Sequence, residues 1–278
     1  MNEFVETLLD LPWQTCEPKP AYDVVIIGGG GHGLSTAYYL AARHGITNVC
    51  VLDANYIGSG NSGRNTTIIR SNYGIPESVR FYQHSLELYQ GLEAETGSWI
   101  MHSTKGQIWL AHSVTAARTE QTRALMNQAC GAHTDYILPD EIKARCPQID
   151  LSGGGRYPVH GASYHHEGAT ARHDRVVWTY AQGALRNGVH IFQHTPVIGL
   201  VKDGDRVTGV HTPNGTISAG IVLSAVGGHV STVAGWAGVR LPIRTHALQA
   251  FVTNAYAQEF APIVSSNDLV FYVSQTPR

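Results

Sequence analysis

Cysteine is scarce and unpaired in this sequence. Cys16, Cys50, Cys130 and Cys146 stand alone, and the lack of any Cys-x-x-Cys pair argues against a zinc ribbon or a disulfide framework. The expected compartment is a reducing cytoplasm, and no metal site is expected. No apolar run is long enough for a transmembrane helix. Residues 1–19 carry acids and prolines rather than a basic-then-apolar signal pattern. Charge is sparse too: 14% of residues are charged against 43% hydrophobic, the formal net charge is −2, and acids and bases are mixed along the chain. That balance excludes a disordered chain and gives no reason to expect a nucleic acid or a membrane surface as partner. The 278 residues allow one large domain or two interleaved ones.

What is present begins with an irregular arm over residues 1–21, containing Trp13, Pro18 and Pro20. Tyr22 to Ile27 is a short continuous apolar run, as a strand buried on both faces requires. A glycine cluster follows, then helical apolar spacing at Leu34, Ala37, Leu40 and Ala41, with Gly45 placed to end the helix. Val49 to Leu52 is a second buried strand ending at Asp53. Helices are expected over Pro76 to Thr96, Val114 to Cys130 and Asp174 to Asn187, and a strand over Gly106 to Ala111. Asp203-Gly204 and Asn214-Gly215 mark hairpin turns between Val197–Lys202, Val207–Thr212 and Thr216–Ala225. Leu269 to Ser274 is strand-like.

The glycine cluster carries the clearest chemistry. Gly28-Gly29-Gly30-Gly31-His32-Gly33 contains G-x-G-x-x-G between a strand and a helix. Gly28 permits the tight turn, Gly30 lets backbone approach a pyrophosphate, and Gly33 lets the helix pack against the sheet. The pyrophosphate then meets free N–H groups and the positive end of a helix. Asp53, twenty residues past Gly33, stands where a carboxylate accepts hydrogen bonds from ribose, and it argues against a 2′-phosphate and so against NADP. The motif alone leaves NAD and FAD open. Gly58 to Asn65 is a small polar loop that can wrap a second phosphate or simply face solvent. Gly227-Gly228, after the run Val222 to Val226, is either a return towards the dinucleotide or an ordinary strand-to-helix turn.

Four stretches together (VVIIGGGGHGLSTAYYLA, GNSGRNTTIIRSNYG, RHDRVVWTYA and FYVSQ) resemble the β subunit of bacterial heterotetrameric sarcosine oxidase, an amine-oxidising flavoprotein group related to D-amino acid oxidase. The resemblance runs from about Trp13 to Arg278. It implies an α/β fold: an FAD-binding dinucleotide fold of the D-amino acid oxidase/glutathione reductase type, with an interleaved antiparallel-sheet substrate domain. The implied division is an N-terminal arm over 1–19, an FAD domain over 20–102 and 164–239, and a substrate domain over 103–163 and 240–278. The implied activity is oxidation of sarcosine at noncovalent FAD. Electrons pass to a covalent FMN and on to oxygen, giving hydrogen peroxide, with 5,10-methylenetetrahydrofolate formed when tetrahydrofolate is present.

The same resemblance implies FAD contacts at Gly28, Gly30, Gly31, His32, Gly33, Asp53, Asn61, Arg64, Thr66, Ile68, Val197 and Gly227. It places the covalent FMN on His173; by the chemistry of the residues themselves, Asp174 beside it and His165 and His166 nearby could tune its protonation. Arg70 matches the arginine that pairs with the substrate carboxylate, for which a guanidinium fork is suited, and Tyr272 matches an active-site tyrosine. The implied partners are α, γ and δ subunits, with NAD and tetrahydrofolate on α. Family members are longer and continue into a glycine-rich, lysine-containing stretch over the flavin ring. The expectation is therefore a C-terminally truncated chain that is inactive by itself. The alternatives are a related FAD-only dimethylglycine-type oxidoreductase and a noncatalytic assembly partner.

Overall fold

The computed structural model describes residues 17–152, 154–254 and 256–275. The arm residues through Cys16 and the last three residues lie outside this range. In chain order the elements begin β1 (Ala21–Ile27), α1 (Gly31–His44), β2 (Val49–Leu52), β3 (Ile68–Ile69), α2 (Pro76–Thr96), β4 (Ser103–Thr104), β5 (Gln107–Ala111) and α3 (Val114–Ala129). They continue with β6 (Thr134–Ile137), α4 (Pro139–Arg145), β7 (Gly161–His165), β8 (Ala169–Thr170), α5 (His173–Arg186) and β9 (His190–Phe192). The remainder is β10 (Gly199–Asp203), β11 (Arg206–Thr212), β12 (Gly215–Ser224), α6 (Val230–Trp236), β13 (Ile263–Ser266) and β14 (Phe271–Val273). Among the described residues no helix is long and apolar enough to cross a membrane.

The chain forms two compact bodies, each of two segments. One takes the chain up to Thr66 together with His173–Ala250, and the other takes Thr67–Arg172 with the chain from Phe251 onward. Compactness thus places 67–102 and 164–172 with the second body and 240–250 with the first, where the resemblance groups the former with the FAD domain and the latter with the substrate domain.

The first body is built on a six-stranded sheet in the order β10-β11-β12-β1-β2-β9. β12, β1, β2 and β9 are parallel, and β10, β11 and β12 form an antiparallel meander. All four residues of β2 are buried, as are the last four of β1, because a central parallel strand is covered on both faces. One core gathers Val25, Ile27, Leu52, Phe192, Val210 and Ile217 around buried Cys50. Burial pushes the Cys50 thiol up to about 12, against a smaller opposing effect of the Tyr22 hydrogen bond, so this cysteine behaves as an inert apolar group. On α5, a Cβ at Gly183 would come within 2.6 Å of the Tyr38 ring of α1, so the two helices approach through a gap that glycine leaves.

The second body holds a five-stranded sheet, β14-β13-β5-β7-β6, and a small sheet, β3-β8-β4. The larger sheet is antiparallel except for the parallel pair β13 and β5. Its two faces differ. Ile108, Leu110, Ile137, Ala162 and Val264 join Ile142 and Cys146 in an apolar core. The residues alternating with them include Gln107, Thr134, Ser163, His165 and Ser265, all buried and all polar. α3 is capped by the Ser113 hydroxyl, which accepts from the Ala116 N–H at 3.1 Å, and its Glu120 accepts from Ser163 Oγ on that polar face at 2.6 Å.

The expected elements from β1 through α5, and the hairpins at Gly204 and Gly215, form with small shifts at their ends. The exception is the last strand. Residues before Phe271 turn, and Val270 takes a left-handed φ of 51°, so Leu269 and Val270 precede a strand that covers only Phe271–Val273. Gly183→Val should lower the thermal midpoint of unfolding, with a loss of about 1–3 kcal/mol from overpacking against Tyr38. Calorimetry checks this, and an unchanged midpoint would count against the α1–α5 contact.

Candidate functional site: a dinucleotide cradle and a stacked arginine

In the first body, β1 runs out at Ile27, and Gly28 donates its N–H to Leu52 O at 2.8 Å. Gly28 turns the chain with a φ of 108°, and a Cβ there would come within 2.5 Å of Ala225 O. A Cβ on Gly33 would collide with the Gly28 carbonyl, so only glycine lets α1 start this close to the strand it follows. Gly30 is the N-cap residue of α1 and supplies no side-chain cap. The helix therefore presents its positive end, with backbone N–H groups, to the loop.

Asp53 closes one side of the cradle. Its Oδ2 accepts from Gly29 N–H at 2.7 Å and its Oδ1 from Asn55 N–H at 2.8 Å. A residue that sequence reasoning missed closes the other side: Ser62 Oγ accepts from Gly31 N–H at 2.8 Å. Ser62 lies in the short 3₁₀ turn Asn61–Gly63, and the Asn65 side-chain amide bonds its carbonyl at 2.6 Å. The only sequence signal for it was the polar loop itself. Arg64 is exposed and folds back on the carbonyls of Ser59 and Gly60. Gly227 begins the 3₁₀ turn that leads from β12 into α6, and a Cβ there would meet Asn61 Nδ2 at 3.5 Å. Val197 packs against the core edge, close along the chain to Thr195, whose N–H donates to Asp53 O at 2.8 Å. His32 is exposed, its carbonyl accepting from Ser35 and Thr36 hydroxyls. The first body thus brings the glycines, Asp53, Asn61 and Gly227 together. The donor set, a strand-to-helix turn that admits no Cβ and a helix end whose own N-cap residue brings no side chain, fits a pyrophosphate.

Thr66 ends the first segment of that body, whereas Ile68 lies on β3 of the second, opposite Thr170. His173 is the first residue of α5, and its Nδ1 is buried without a hydrogen-bond partner among the described residues. His165 and His166 are engaged within the second body: His165 with Ser71 and Thr134, His166 Nε2 with Asp135 Oδ2 at 2.7 Å.

In the second body, the Arg70 guanidinium lies 4.1 Å from the Tyr73 ring centroid and 5.1 Å from that of Trp109. Its Nη1 donates to Asn72 O and Oδ1 at 3.2 and 3.1 Å. Burial lowers its pKa, while Tyr73 opposes the shift. An arginine keeps its charge under such a shift. The Nε–Nη2 edge has no hydrogen-bond partner among the described residues. Cross-strand register ties Tyr272 to this place, because Trp109 pairs with Ser265 and Ser265 with Tyr272. Directly opposed residues share a face, so Tyr272 and Trp109 lie two strands, about 10 Å, apart on the polar face. Tyr272 is 45% exposed. Trp109 Nε1 and Asn72 Nδ2 are buried without partners among the described residues, two more polar groups in this neighbourhood available to a ligand.

His165 steadies the segment that carries Arg70. Its Nε2 accepts from Ser71 N–H at 3.3 Å, and Nδ1 faces Thr134 Oγ1 at 3.1 Å and His133 O at 3.2 Å. Burial first, against the raising effect of the His133 carbonyl and with Arg70 adding to the fall, lowers its pKa to about 4.

A βαβ cradle of this kind defines a dinucleotide-binding oxidoreductase fold. The chain belongs to the FAD dependent oxidoreductase (DAO) family, which it matches over residues 23–278. It is 46% identical over 263 residues to the sarcosine oxidase subunit beta of Arthrobacter sp., covering 95% of this chain and 65% of the relative. It is 43% identical to the sarcosine oxidase subunit beta of Rhizobium meliloti (strain 1021), covering 96% and 64%. Among solved structures, L-proline dehydrogenase from P. horikoshii superposes with a TM-score of 0.82 at 26% identity, covering 93% of this chain and 68% of that one. The chain therefore spans just under two thirds of the length of these curated relatives. The expected fold, an FAD-type dinucleotide domain with a second β-sheet domain, is the one found.

Two outcomes test this geometry. Gly33→Ala should sharply reduce the flavin that co-purifies with the protein, read as released flavin absorbance per chain; full flavin content would contradict the close approach at Gly28. The second concerns pH. His165 binds its proton less well folded, at about 4, than unfolded, near 6.5. The unfolded state therefore holds more protons between these values, and stability is present above pH 6.5 and is lost as pH falls towards 4. The loss should be on the order of 2–3 kcal/mol, and His165→Gln should flatten that part of a denaturant-unfolding series. An equally steep slope in the variant would assign the pH dependence elsewhere.

Proposed function

We propose that this chain forms the amine-oxidising part of a sarcosine oxidase. The observation that carries the proposal is Arg70, stacked on Tyr73 and Trp109 at the polar face of the second sheet with one guanidinium edge unpaired among the described residues. That edge presents two parallel donors, the complement of a carboxylate. An amino acid with a small N-methyl group offers such a carboxylate and little else to bind. The likeness to sarcosine oxidase subunit beta proteins over 95% of this chain supports the same substrate.

FAD supplies, when bound, the acceptor for the two electrons taken from the N-methyl group. The chain's own part is positional. The N–H groups at the start of α1 take the pyrophosphate and Asp53 takes the ribose. Asn61, Arg64, Thr66, Ile68, Val197 and Gly227 complete the contacts. Arg70 fixes the substrate carboxylate, and the Tyr272 hydroxyl donates to it from the same sheet face. No side-chain base is required, because a neutral amine can lose hydride directly. The discontinuous FAD and substrate domains follow the division given by the resemblance.

His173 carries the covalent FMN in this reading. Its ring is not committed to a structural hydrogen bond through Nδ1, and it opens a helix in the stretch that matches the family. Oxygen is then the final acceptor, giving hydrogen peroxide, with 5,10-methylenetetrahydrofolate formed when tetrahydrofolate is supplied. The α, γ and δ subunits complete a cytoplasmic heterotetramer, with NAD and tetrahydrofolate on α.

The assay is sarcosine-dependent peroxide formation by the chain co-expressed with such partner subunits. Arg70→Met should lower kcat/KM for sarcosine on the order of 100-fold, chiefly through KM, with Arg70→Lys intermediate. Unchanged KM would remove Arg70 from the substrate. His173→Asn should abolish flavin fluorescence that stays with the denatured chain. Loss of all flavin on denaturing the unmutated complex would favour the FAD-only, dimethylglycine-type alternative.

A further inference from the structure

The apolar side of the second sheet ends in a cluster unrelated to the cradle or to Arg70. β6 and β7 pair with Thr134 opposite His165 and Asp135 opposite Tyr164. The ladder runs one step further, with His166 N–H donating to His133 O at 3.0 Å. His133 and His166 therefore stand directly across from each other, and Asp135, two residues along the strand from His133, lies on the same face. Alternation and register alone bring three donor side chains to one spot.

We propose that His133, Asp135 and His166 bind a borderline divalent cation of the Zn²⁺ class. One ligand atom from each residue lies within 4.8 Å of the other two. His166 Nε2 is 2.7 Å and His133 Nε2 3.9 Å from the same carboxylate oxygen, Asp135 Oδ2. Donors held about 2.0–2.2 Å from one Zn²⁺ sit about 3.0–3.6 Å apart, so the present spacings bracket a bound set. Two imidazoles and a carboxylate suit such a cation better than Mg²⁺ or Ca²⁺. A hydrogen bond between His166 and Asp135 explains two members of the cluster. It does not explain His133, an exposed ring lying parallel to His166, 3.7 Å between centroids and 6° between planes, with its Nε2 turned to that oxygen.

The supporting groups are those of a metal site. Gln128 Nε2 donates to Asp135 Oδ1 at 2.9 Å, fixing the carboxylate and leaving Oδ2 to the imidazoles. His166 and Gln128 together hold the Asp135 carboxyl below its ordinary range. Arg145 stacks 4.9 Å over Tyr164, which in turn meets His166 edge-on. Because His133 is exposed, the remaining coordination position opens to solvent, so the bound ion would keep a water or accept an outside ligand.

The test is calorimetric titration of ZnCl₂ into the chelator-treated, flavin-loaded chain, with MgCl₂ as comparison. One equivalent of Zn²⁺ should bind with micromolar affinity and Mg²⁺ should not. Asp135→Asn and His133→Gln should each weaken Zn²⁺ binding by about tenfold or more while leaving the flavin absorbance spectrum unchanged. His84→Gln, which removes an exposed histidine on α2 facing only Glu87, should leave it intact. In the unmutated chain, zinc should also shift the ring signals of His133 and His166, a readout independent of variant folding. No saturable binding, site variants that bind as tightly as the parent, or ring signals unmoved by zinc would overturn the proposal.

Discussion

The first residues of α1 and the end of β1 touch through bare backbone, and the first body depends on that contact. Any Cβ at Gly33 would strike the Gly28 carbonyl, so the helix would have to draw back from the sheet. With it would go the alignment of the α1 N–H groups with Asp53 and Ser62. Those two side chains already accept from Gly29 and Gly31, so the cradle is organised before any phosphate arrives. Prepaid ordering of this kind lowers the cost of binding.

The second body solves a different problem. It must hold a charged guanidinium away from bulk water, and it does so by dividing one sheet into two faces. The apolar face anchors the strands against Ile142 and Cys146. The polar face fixes the surroundings of Arg70 through Trp109, Ser265 and the Ser71–His165 contact. Buried polar residues of this kind are tolerated only when hydrogen-bonded. Among the described residues several stay unpaired, Gln107 Oε1, Asn127 Oδ1 and Thr170 Oγ1 with them, and two of these groups, Trp109 Nε1 and Asn72 Nδ2, belong to residues that touch Arg70.

Most of the first body was legible in the sequence because its signals are local. A buried apolar run, a glycine turn, a 3.6-residue period and a second apolar run follow one another within Tyr22–Asp53, and each forms where expected. The second body was less legible. β7 and β13 carry Ser163, His165, Ser265 and Ser266 at buried positions, which erases the alternation that marks a half-buried strand. Ser62 was overlooked because its role arises only when its loop folds over α1. The His133, Asp135 and His166 cluster was invisible for the same reason: 31 residues separate Asp135 from His166, and only the β6–β7 register joins them. The family motifs named Arg70 and His173, but Trp109, which stacks on Arg70, and the Nδ1 of His173, unpartnered among the described residues, emerged from the fold.

The central claim is that the first body receives FAD through the backbone amides at the start of α1. Amide NMR of the isotope-labelled, flavin-free chain during FAD titration tests it most directly. The account predicts that the Gly29, Gly31, His32 and Gly33 amide signals shift together and saturate at one equivalent. FAD that saturates the protein while leaving those four amides in place would contradict it.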